Sequence, residues 1–219
     1  VLRRSYSNGA TWLATQTLVD VGDNAAMDPT AVVNKNTGRV ILMYTVYPAG
    51  WNANIKHGFG EDSCTIWTIY SDDDGQSWSQ PSNITSQVKL QQWTSYNVGP
   101  GVGIQTTTWP FSGRLIFSTG HGAVANDPAS GNNHIIVSDD GGSTWRIEGY
   151  INSGSESQIV ELVDGGLLMN IRGGGIRGRR ISTSYDHGIT WSSITFDAEL
   201  VEPVCQGSVL RLTKKQDDV

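Results

Sequence analysis

The sequence predicts an all-β protein built as a β-propeller, and three observations carry that prediction. A short motif of the form Ser-x-Asp-x-Gly-x-Ser/Thr-Trp recurs along the chain. Runs of β-branched and aromatic residues fill the stretches between the copies, and none of them shows a helical period. Glycine accounts for 26 of the 219 residues, against about 7% in average proteins, which favours many tight turns. Blade-sized β units that repeat are typical of a propeller.

The repeat occurs at residues 5–12, 71–78, 138–145 and 184–191, and the first copy is weaker because Ser7 replaces the aspartate. The tryptophans that close the four copies are 66, 67 and 46 residues apart. These spacings are too irregular for a solenoid but long enough for one four-stranded blade per period. The chain therefore holds about four blades' worth of sequence.

Each copy of the repeat reads as a self-satisfying hairpin tip. The aspartate can accept hydrogen bonds from backbone N–H groups of its own turn, and the glycine permits a positive φ. The hydroxyl can brace the turn, and the tryptophan is an apolar plug. A structural role is therefore predicted for the aspartates and tryptophans, rather than a catalytic or calcium-binding one. They are Asp73, Trp78, Asp140, Trp145, Asp186 and Trp191.

Strands are predicted between the repeats, where runs of β-branched and aromatic residues end at Gly, Pro, Asn or Asp. The runs 158–162 and 167–171 flank Asp164-Gly165, which is a strong hairpin signal. Four further runs read as strands at 40–44, 65–70, 114–118 and 134–137.

Composition excludes several functional classes. The formal charge is −6, so a nucleic-acid partner is not expected. No stretch approaches 18 apolar residues, so no transmembrane segment is predicted. The only two cysteines, Cys64 and Cys205, do not make a disulfide framework and are predicted to be buried free thiols. The four histidines lack metal-ligand spacing, so neither a metal nor a cofactor is predicted.

The motif resembles the Asp box, also called the bacterial neuraminidase (BNR) repeat, which several unrelated propellers carry. The stretches between the copies narrow the resemblance and follow one another in the order of a single family. They are 27–33 with 37–39, 93–105, 155–162 with 170–172, and 203–208. Across nearly the whole chain the sequence is similar to the sialidase (neuraminidase) family of the exo-α-sialidase type, whose fold is a six-bladed propeller.

The resemblance implies a retaining glycoside hydrolase that removes terminal sialic acid from glycans, in a secreted or lysosomal, extracytoplasmic location. In that family three arginines bind the substrate carboxylate. The Phe/Tyr-Arg-Ile-Pro motif with the first arginine, and the acid/base aspartate, are expected upstream of Val1. The third arginine and the nucleophilic tyrosine are expected downstream of Val219. The chain therefore reads as an internal segment. The alternatives are a non-catalytic sialidase-like propeller that binds glycans or partners, and a generic Asp-box scaffold.

Two residues are candidates for the catalytic machinery. By the resemblance, Arg172 is the second arginine of the carboxylate-binding triad, and a guanidinium suits that task because it pairs with carboxylates through two parallel hydrogen bonds. The alternative is a solvated arginine in a basic loop with Arg177, Arg179 and Arg180, and those three arginines are expected to be surface or strand residues. Glu156 matches the glutamate that activates the tyrosine nucleophile. Glu161 is its competitor and reads as a surface residue.

Five further residues are candidates for substrate binding. By the resemblance, Asp28 contacts a sugar hydroxyl, and Pro29 biases it towards an extended backbone. A turn aspartate, or Asp23 in its place, remains open. Exposed aromatic rings can pack against a sialic acid, but core aromatics are an equal alternative. For Gln206 two interpretations are equally open: it contacts the ligand from the strand after Cys205, or it does not contact the ligand. The aromatic candidates are Trp51, Trp93 and Tyr96.

Overall fold

The computed structural model describes residues 1–51, 55–122, 132–173 and 178–212. Within these residues the regular secondary structure is mostly β-strand, and it includes a short helix, α1 (Thr85–Val88). The strands form three sheets that follow one another along the sequence. Glycine-rich turns and loops connect them, as the composition predicts.

The first sheet contains β1 (Ala25–Val33), β2 (Val40–Tyr47), β3 (Thr65–Ser71) and β4 (Ser82–Asn83) as an antiparallel meander. A later strand, β6 (Gly101–Val102), joins the free edge of β1 in parallel. This strand ties the first sheet to the part of the chain that starts the second.

The second sheet has the order β10-β9-β8-β5, and β7 also pairs with β8. Its strands are β5 (Tyr96–Val98), β7 (Ile104–Gln105), β8 (Leu115–His121), β9 (Asn133–Ser138) and β10 (Arg146–Ile151).

The third sheet is a four-stranded meander of β11 (Ser157–Glu161), β12 (Leu167–Ile171), β13 (Arg179–Ser184) and β14 (Thr195–Asp197). The hairpin between β11 and β12 turns at Asp164 and Gly165, as the Asp-Gly signal predicts.

The second sheet lies between the other two, and its alternating side chains show this directly. On β8, Leu115 and Phe117 pack into a core shared with the first sheet, whereas Ile116 packs into a core shared with the third. On β9, Ile136 points to the first core and Ile135 to the second. Successive side chains of a strand face opposite sides, so a strand that is apolar throughout is buried on both faces.

The repeats form the braced turns predicted for them. In the copy after β3, the Asp73 carboxylate accepts hydrogen bonds from the Ser77 backbone N–H at 2.8 Å and hydroxyl at 2.6 Å. Ser71 Oγ accepts the Gly75 N–H at 2.8 Å, and Gly75 has a φ of +78°. The Trp78 indole donates to the Gly75 carbonyl at 3.2 Å. The hydrogen bond from the Ser77 hydroxyl is the largest of the effects that lower the pKa of Asp73 to about 2.

The carboxylates of the next two copies accept equivalent hydrogen bonds. Asp140 accepts from the Thr144 backbone N–H at 2.9 Å, and Asp186 from that of Thr190 at 2.8 Å. In the first copy Ser7 takes the place of the aspartate, and its hydroxyl accepts the Thr11 N–H at 2.8 Å. The weaker copy therefore keeps the turn with a weaker acceptor.

The four repeats correspond to three sheets and one hairpin. The first repeat lies in a hairpin that a single bridge between Leu2 and Gln16 closes, and no full sheet forms around it in the described residues. Gln16 Nε2 also donates to the carbonyl of Gln76 at 3.4 Å. The hairpin therefore lies beside the second repeat.

The two cysteines differ in burial. Both are free, and Cys64 is buried, but the burial predicted for Cys205 is wrong because its side chain lies exposed in an irregular segment.

Through residue 212, omitting the short undescribed stretches, no helix is long and apolar enough to cross a bilayer.

Candidate active site

Glu156 and Arg172 lie together where β11 begins and β12 ends. The two strands pair with Ser157 opposite Ile171, so the residues just outside that pair are neighbours. The Arg172 backbone N–H donates to the Glu156 carbonyl at 2.9 Å. Their side chains form an ion pair, with Arg172 Nη1 2.8 Å from Glu156 Oε2. Both side chains keep about a third of their surface or less exposed, 33% and 27%, so each is partly accessible to solvent.

Asp28 completes an acidic edge of this site from the first sheet. It sits in a bulge of β1, where the register with β2 shifts between Met27 and Thr30. Its φ is +52°, so the extended backbone expected from Pro29 is wrong, since the bulge requires the left-handed region. Burial raises the pKa of the Asp28 carboxyl to about 6, against a lowering hydrogen bond from Thr45 and with a further raising effect from the Glu156 charge.

The turn 99–101 joins the elements that carry the candidate residues. Gly99 has a φ of +75°, and a Cβ on it would overlap the hydroxyl of Thr30 in β1. The Gly99 carbonyl accepts the Ser157 N–H at 2.8 Å, next to Glu156. On the other side, Gln206 Nε2 donates to the Pro100 carbonyl at 3.2 Å. The turn therefore brings the first sheet, the third sheet and the segment holding Gln206 to one place.

The three aromatic candidates differ in how far they are buried. Trp51 is half-buried and packs against the first core, with its ring 4.9 Å from that of Tyr47. Trp93 and Tyr96 are 6% and 0% exposed. That burial agrees with the core alternative and not with rings open to a sugar, because both rings pack into the core between the first two sheets.

A buried histidine pair lies beside these aromatics, and its position did not follow from the sequence. His121 stacks on Trp93 with centroids 3.6 Å apart, and its Nδ1 is 3.2 Å from Nδ1 of His134. His134 Nε2 is 2.8 Å from the Tyr96 hydroxyl. Burial lowers the pKa of His121 to about 4. The two histidines are 13 residues apart in sequence, and only the pairing of β8 with β9 brings them together.

The Asp boxes lie at the other end of the sheet from this cluster. In the third sheet, Ser184 at the start of the last repeat pairs with Leu167, whereas Arg172 follows Ile171 at the opposite end of β12. Leu167 and Ile171 are four residue steps apart along the strand, a distance of about 13 Å. Asp186 therefore braces a remote turn, as predicted for it.

The surface position expected for Glu161 is wrong. Its side chain is largely buried and accepts hydrogen bonds from the Thr107 and Thr108 backbone N–H groups at 2.9 and 3.1 Å. Arg179, for which the sequence allows a surface or a strand position, begins β13 and is buried. Arg177 lies outside the described residues.

Comparison with known proteins identifies the family. The model of the BNR repeat-like domain matches residues 1–215. The chain is a sialidase-type member of that family. It is 29% identical to a sialidase of Bacteroides fragilis, over 99% of this chain and 41% of that protein. It is also 29% identical to an exo-alpha-sialidase of Aspergillus fumigatus, over 95% of this chain and 51% of that protein.

The chain spans about half the length of these curated relatives. Among solved structures, it is similar to the Hadza microbial sialidase Hz136 with a TM-score of 0.75 and 30% identity, over 87% of this chain and 39% of that one. It shares the fold of the NanB sialidase of Streptococcus pneumoniae with a TM-score of 0.75 at 18% identity, over 91% of this chain and 47% of that one. The three sheets of this sialidase-type chain are thus blades of a β-propeller.

Proposed function

We propose that the protein containing this chain is an exo-α-sialidase, a retaining glycoside hydrolase that removes terminal sialic acid from glycoconjugates. The observation that carries the proposal is the Arg172–Glu156 ion pair at the adjoining ends of β12 and β11, next to the Asp28 carboxyl. The names of the relatives support the same reaction.

In this proposal Arg172 binds the carboxylate of the substrate. Sialic acid carries its carboxylate on the anomeric carbon, and a planar guanidinium can hold it through two parallel hydrogen bonds. One third of the Arg172 side chain is exposed, so its guanidinium is accessible although one nitrogen pairs with Glu156. The same contact orients the anomeric carbon as the oxocarbenium-like transition state develops.

Glu156 acts on the nucleophile rather than on the sugar. Sialidases differ from other retaining glycosidases because a tyrosine is the nucleophile. A second carboxylate would be repelled by the one that the substrate carries, whereas a neutral phenol is not. A phenol with a pKa near 10 needs a base to take its proton, and Glu156 is that base in the proposal. The tyrosine and the acid/base aspartate belong to other parts of the protein.

Asp28 recognises a hydroxyl of the sugar. Its carboxyl has a pKa raised to about 6, chiefly by burial, so both protonation states are populated near that pH. The ionised form accepts a hydrogen bond from a sugar hydroxyl, and the protonated form can also donate one. A residue with a perturbed pKa close to a partly exposed ion pair fits a functional site.

The test is turnover of a fluorogenic sialoside by the complete gene product that contains these residues. Arg172→Ala should lower kcat/KM by ~10- to 100-fold or more, because a charge-assisted hydrogen-bond pair to the carboxylate is lost. Arg172→Lys should recover only part of the loss, because a lysine lacks the planar fork. Arg39→Ala is the matched control: Arg39 also pairs with a carboxylate, Asp72 at 2.7 Å, but at the surface of the first sheet. It should leave kcat/KM within about twofold.

Failure of the complete protein to turn over the sialoside would remove the enzymatic proposal. Binding of sialylated glycan without turnover, still lost in Arg172→Ala, would instead support the glycan-binding alternative.

A further inference from the structure

A second ion pair lies directly behind Arg172, and it is much more deeply buried than the Arg172–Glu156 pair. Arg179 Nη1 is 3.0 Å from Glu202 Oε2, and the two side chains are 6% and 1% exposed. Arg179 begins β13, and Glu202 lies in the irregular segment that follows β14. Burying two charges costs more free energy than a buried pair usually returns in stability. Such a pair therefore calls for another reason to be present.

The pair makes hydrogen bonds on both sides of Arg172 in the sequence. Two residues before Arg172, the side-chain oxygen of Asn170 accepts from Arg179 Nε at 2.7 Å. One residue after it, the N–H of Gly173 donates to Glu202 Oε2 at 2.7 Å. The short stretch that contains Arg172, directly after β12, is thus held at Asn170 and Gly173 by one buried ion pair.

The same two side chains also hold the segment that carries Gln206. Glu202 Oε1 accepts the Val204 N–H at 2.6 Å, and Arg179 Nη1 donates to the Cys205 carbonyl at 2.8 Å. Gln206 follows directly and reaches the Pro100 carbonyl at the turn that joins the sheets. One buried pair is therefore connected to the segments that carry two of the candidate site residues, Arg172 and Gln206.

We propose that Arg179 and Glu202 are positioning residues that set the orientation of Arg172 and Gln206 towards the substrate. The inference rests on the proposed function, because it assigns to the pair the accuracy with which Arg172 meets the substrate carboxylate. Neither side chain has the exposure needed to touch a ligand itself. A guanidinium can serve three acceptors in fixed directions, which a lysine cannot. Small errors in the position of a binding group are costly in affinity.

The test compares Glu202→Gln and Arg179→Lys with the control Arg114→Lys in the complete gene product. Arg114 is buried to the same degree, at 2% side-chain exposure, and pairs with Asp139 at 2.7 Å and Glu148 at 2.9 Å. It lies at the Asp-box end of the second sheet, since it precedes Leu115, which pairs with Ser138. The control thus disturbs an equally buried arginine away from the candidate site, although its partners Asp139 and Glu148 are more exposed, at 44% and 22%.

Two ligands separate carboxylate recognition from general damage. Affinity for N-acetylneuraminic acid and for its methyl ester is measured by calorimetry. Glu202→Gln and Arg179→Lys should weaken binding of the acid by ~10- to 100-fold, the range of a misplaced charge-assisted contact, and the ester much less. Arg114→Lys should lower the melting temperature to a similar extent but leave the ratio of the two affinities unchanged. An unchanged ratio in all three variants would overturn the inference.

A readout without ligand keeps the inference separate from the proposed function. The Arg172 amide, which donates to the Glu156 carbonyl at 2.9 Å, should exchange with deuterium at least about tenfold faster in Glu202→Gln than in the parent. The amides of β8 and β9 should keep their relative protection, and Arg114→Lys should not affect Arg172. If the parent binds neither ligand, the proposed function fails and this measurement alone decides. Unchanged protection of the Arg172 amide would then refute positioning by the pair.

Discussion

Asp28 combines an unfavourable backbone conformation with a buried carboxyl group whose pKa is raised. A non-glycine residue with positive φ is uncommon, and such residues cluster at functional sites where the surroundings hold them in place. At Asp28 a bulge fixes the backbone at +52°, and burial raises the pKa of the carboxyl to about 6. Both effects cost folding free energy at neutral pH. A residue that costs stability and lies close to the charge of Glu156 fits a binding role better than a turn role.

Asp28→Asn should therefore stabilise the protein at pH 8 and not at pH 4. The folded-state pKa of about 6 lies above the ordinary value of 3.8, so the stabilising contribution of the protonated carboxyl is present below pH 4 and lost as the pH rises through 6. Asparagine cannot ionise, tolerates positive φ, and keeps an acceptor for Thr45. The gain at pH 8 should be about 1 to 3 kcal/mol, the lower end reflecting partial exposure.

Urea unfolding at pH 4 to 8 measures this gain. An equal change in the free energy of unfolding at every pH would contradict the assigned cause. Activity should fall in the same variant, because the sugar contact weakens.

At the residue scale, the sequence located candidate site residues where the family resemblance and the end of a predicted strand fell at the same position. The sequence predicts Glu156 and Arg172 as site residues, and the structure brings their side chains within 2.8 Å. For Arg179 the sequence allows a surface or a strand position; Arg179 begins β13, but its burial was not predicted, because its partner Glu202 lies 23 residues away. The burial of a charge is decided by such a distant partner and has no local pattern.

At the scale of single elements, the tryptophans that close the Asp-box hairpins differ in how far they pack against a neighbouring sheet. Trp145 is 4% exposed and packs near Phe117, with ring centroids 5.3 Å apart, in the core between the first two sheets. Trp12 closes the first repeat and is 56% exposed. The motif fixes the turn, whereas the neighbouring sheet decides how much the tryptophan stabilises.

Trp145→Ala should therefore lower the free energy of unfolding by ~3–5 kcal/mol, the usual cost of truncating a buried aromatic. Trp12→Ala should cost less than about 1 kcal/mol, as for most surface substitutions. Parallel urea titrations of the two variants measure the difference. Similar costs for both would mean that the turn itself, and not inter-sheet packing, is what the tryptophan supports.

How closely a predicted strand matches the structure depends on how far that strand is buried. The run 167–171 coincides with β12, and the run 134–137 falls one residue short of β9 at each end. These strands are buried on both faces, so their β-branched runs are continuous. The edge strands β4 and β14 were not predicted, because polar residues such as Ser82 and Asn83 on an exposed edge leave no apolar pattern. Tyr96 in β5 is buried because other elements pack against it, so the residues around it in the sequence do not reveal its burial.

At the scale of the whole molecule, the candidate site depends on all three sheets. Asp28 comes from the first, Glu156 and Arg172 from the third, and the turn 99–101 leads out of β5 in the second. The second sheet is packed between the other two. A ligand held by residues of separate sheets therefore stabilises their packing as well as its own contacts.

Binding of N-acetylneuraminic acid to the complete protein should consequently raise the melting temperature of one cooperative transition that includes all three sheets. At a ligand concentration of 100 times Kd, the free energy of unfolding should rise by about 2.7 kcal/mol. The shift should vanish in Arg172→Ala and persist in the control Arg39→Ala. Differential scanning calorimetry distinguishes the outcomes. A ligand that shifted only a minor early transition would show that the third sheet binds it alone, and that Asp28 takes no part.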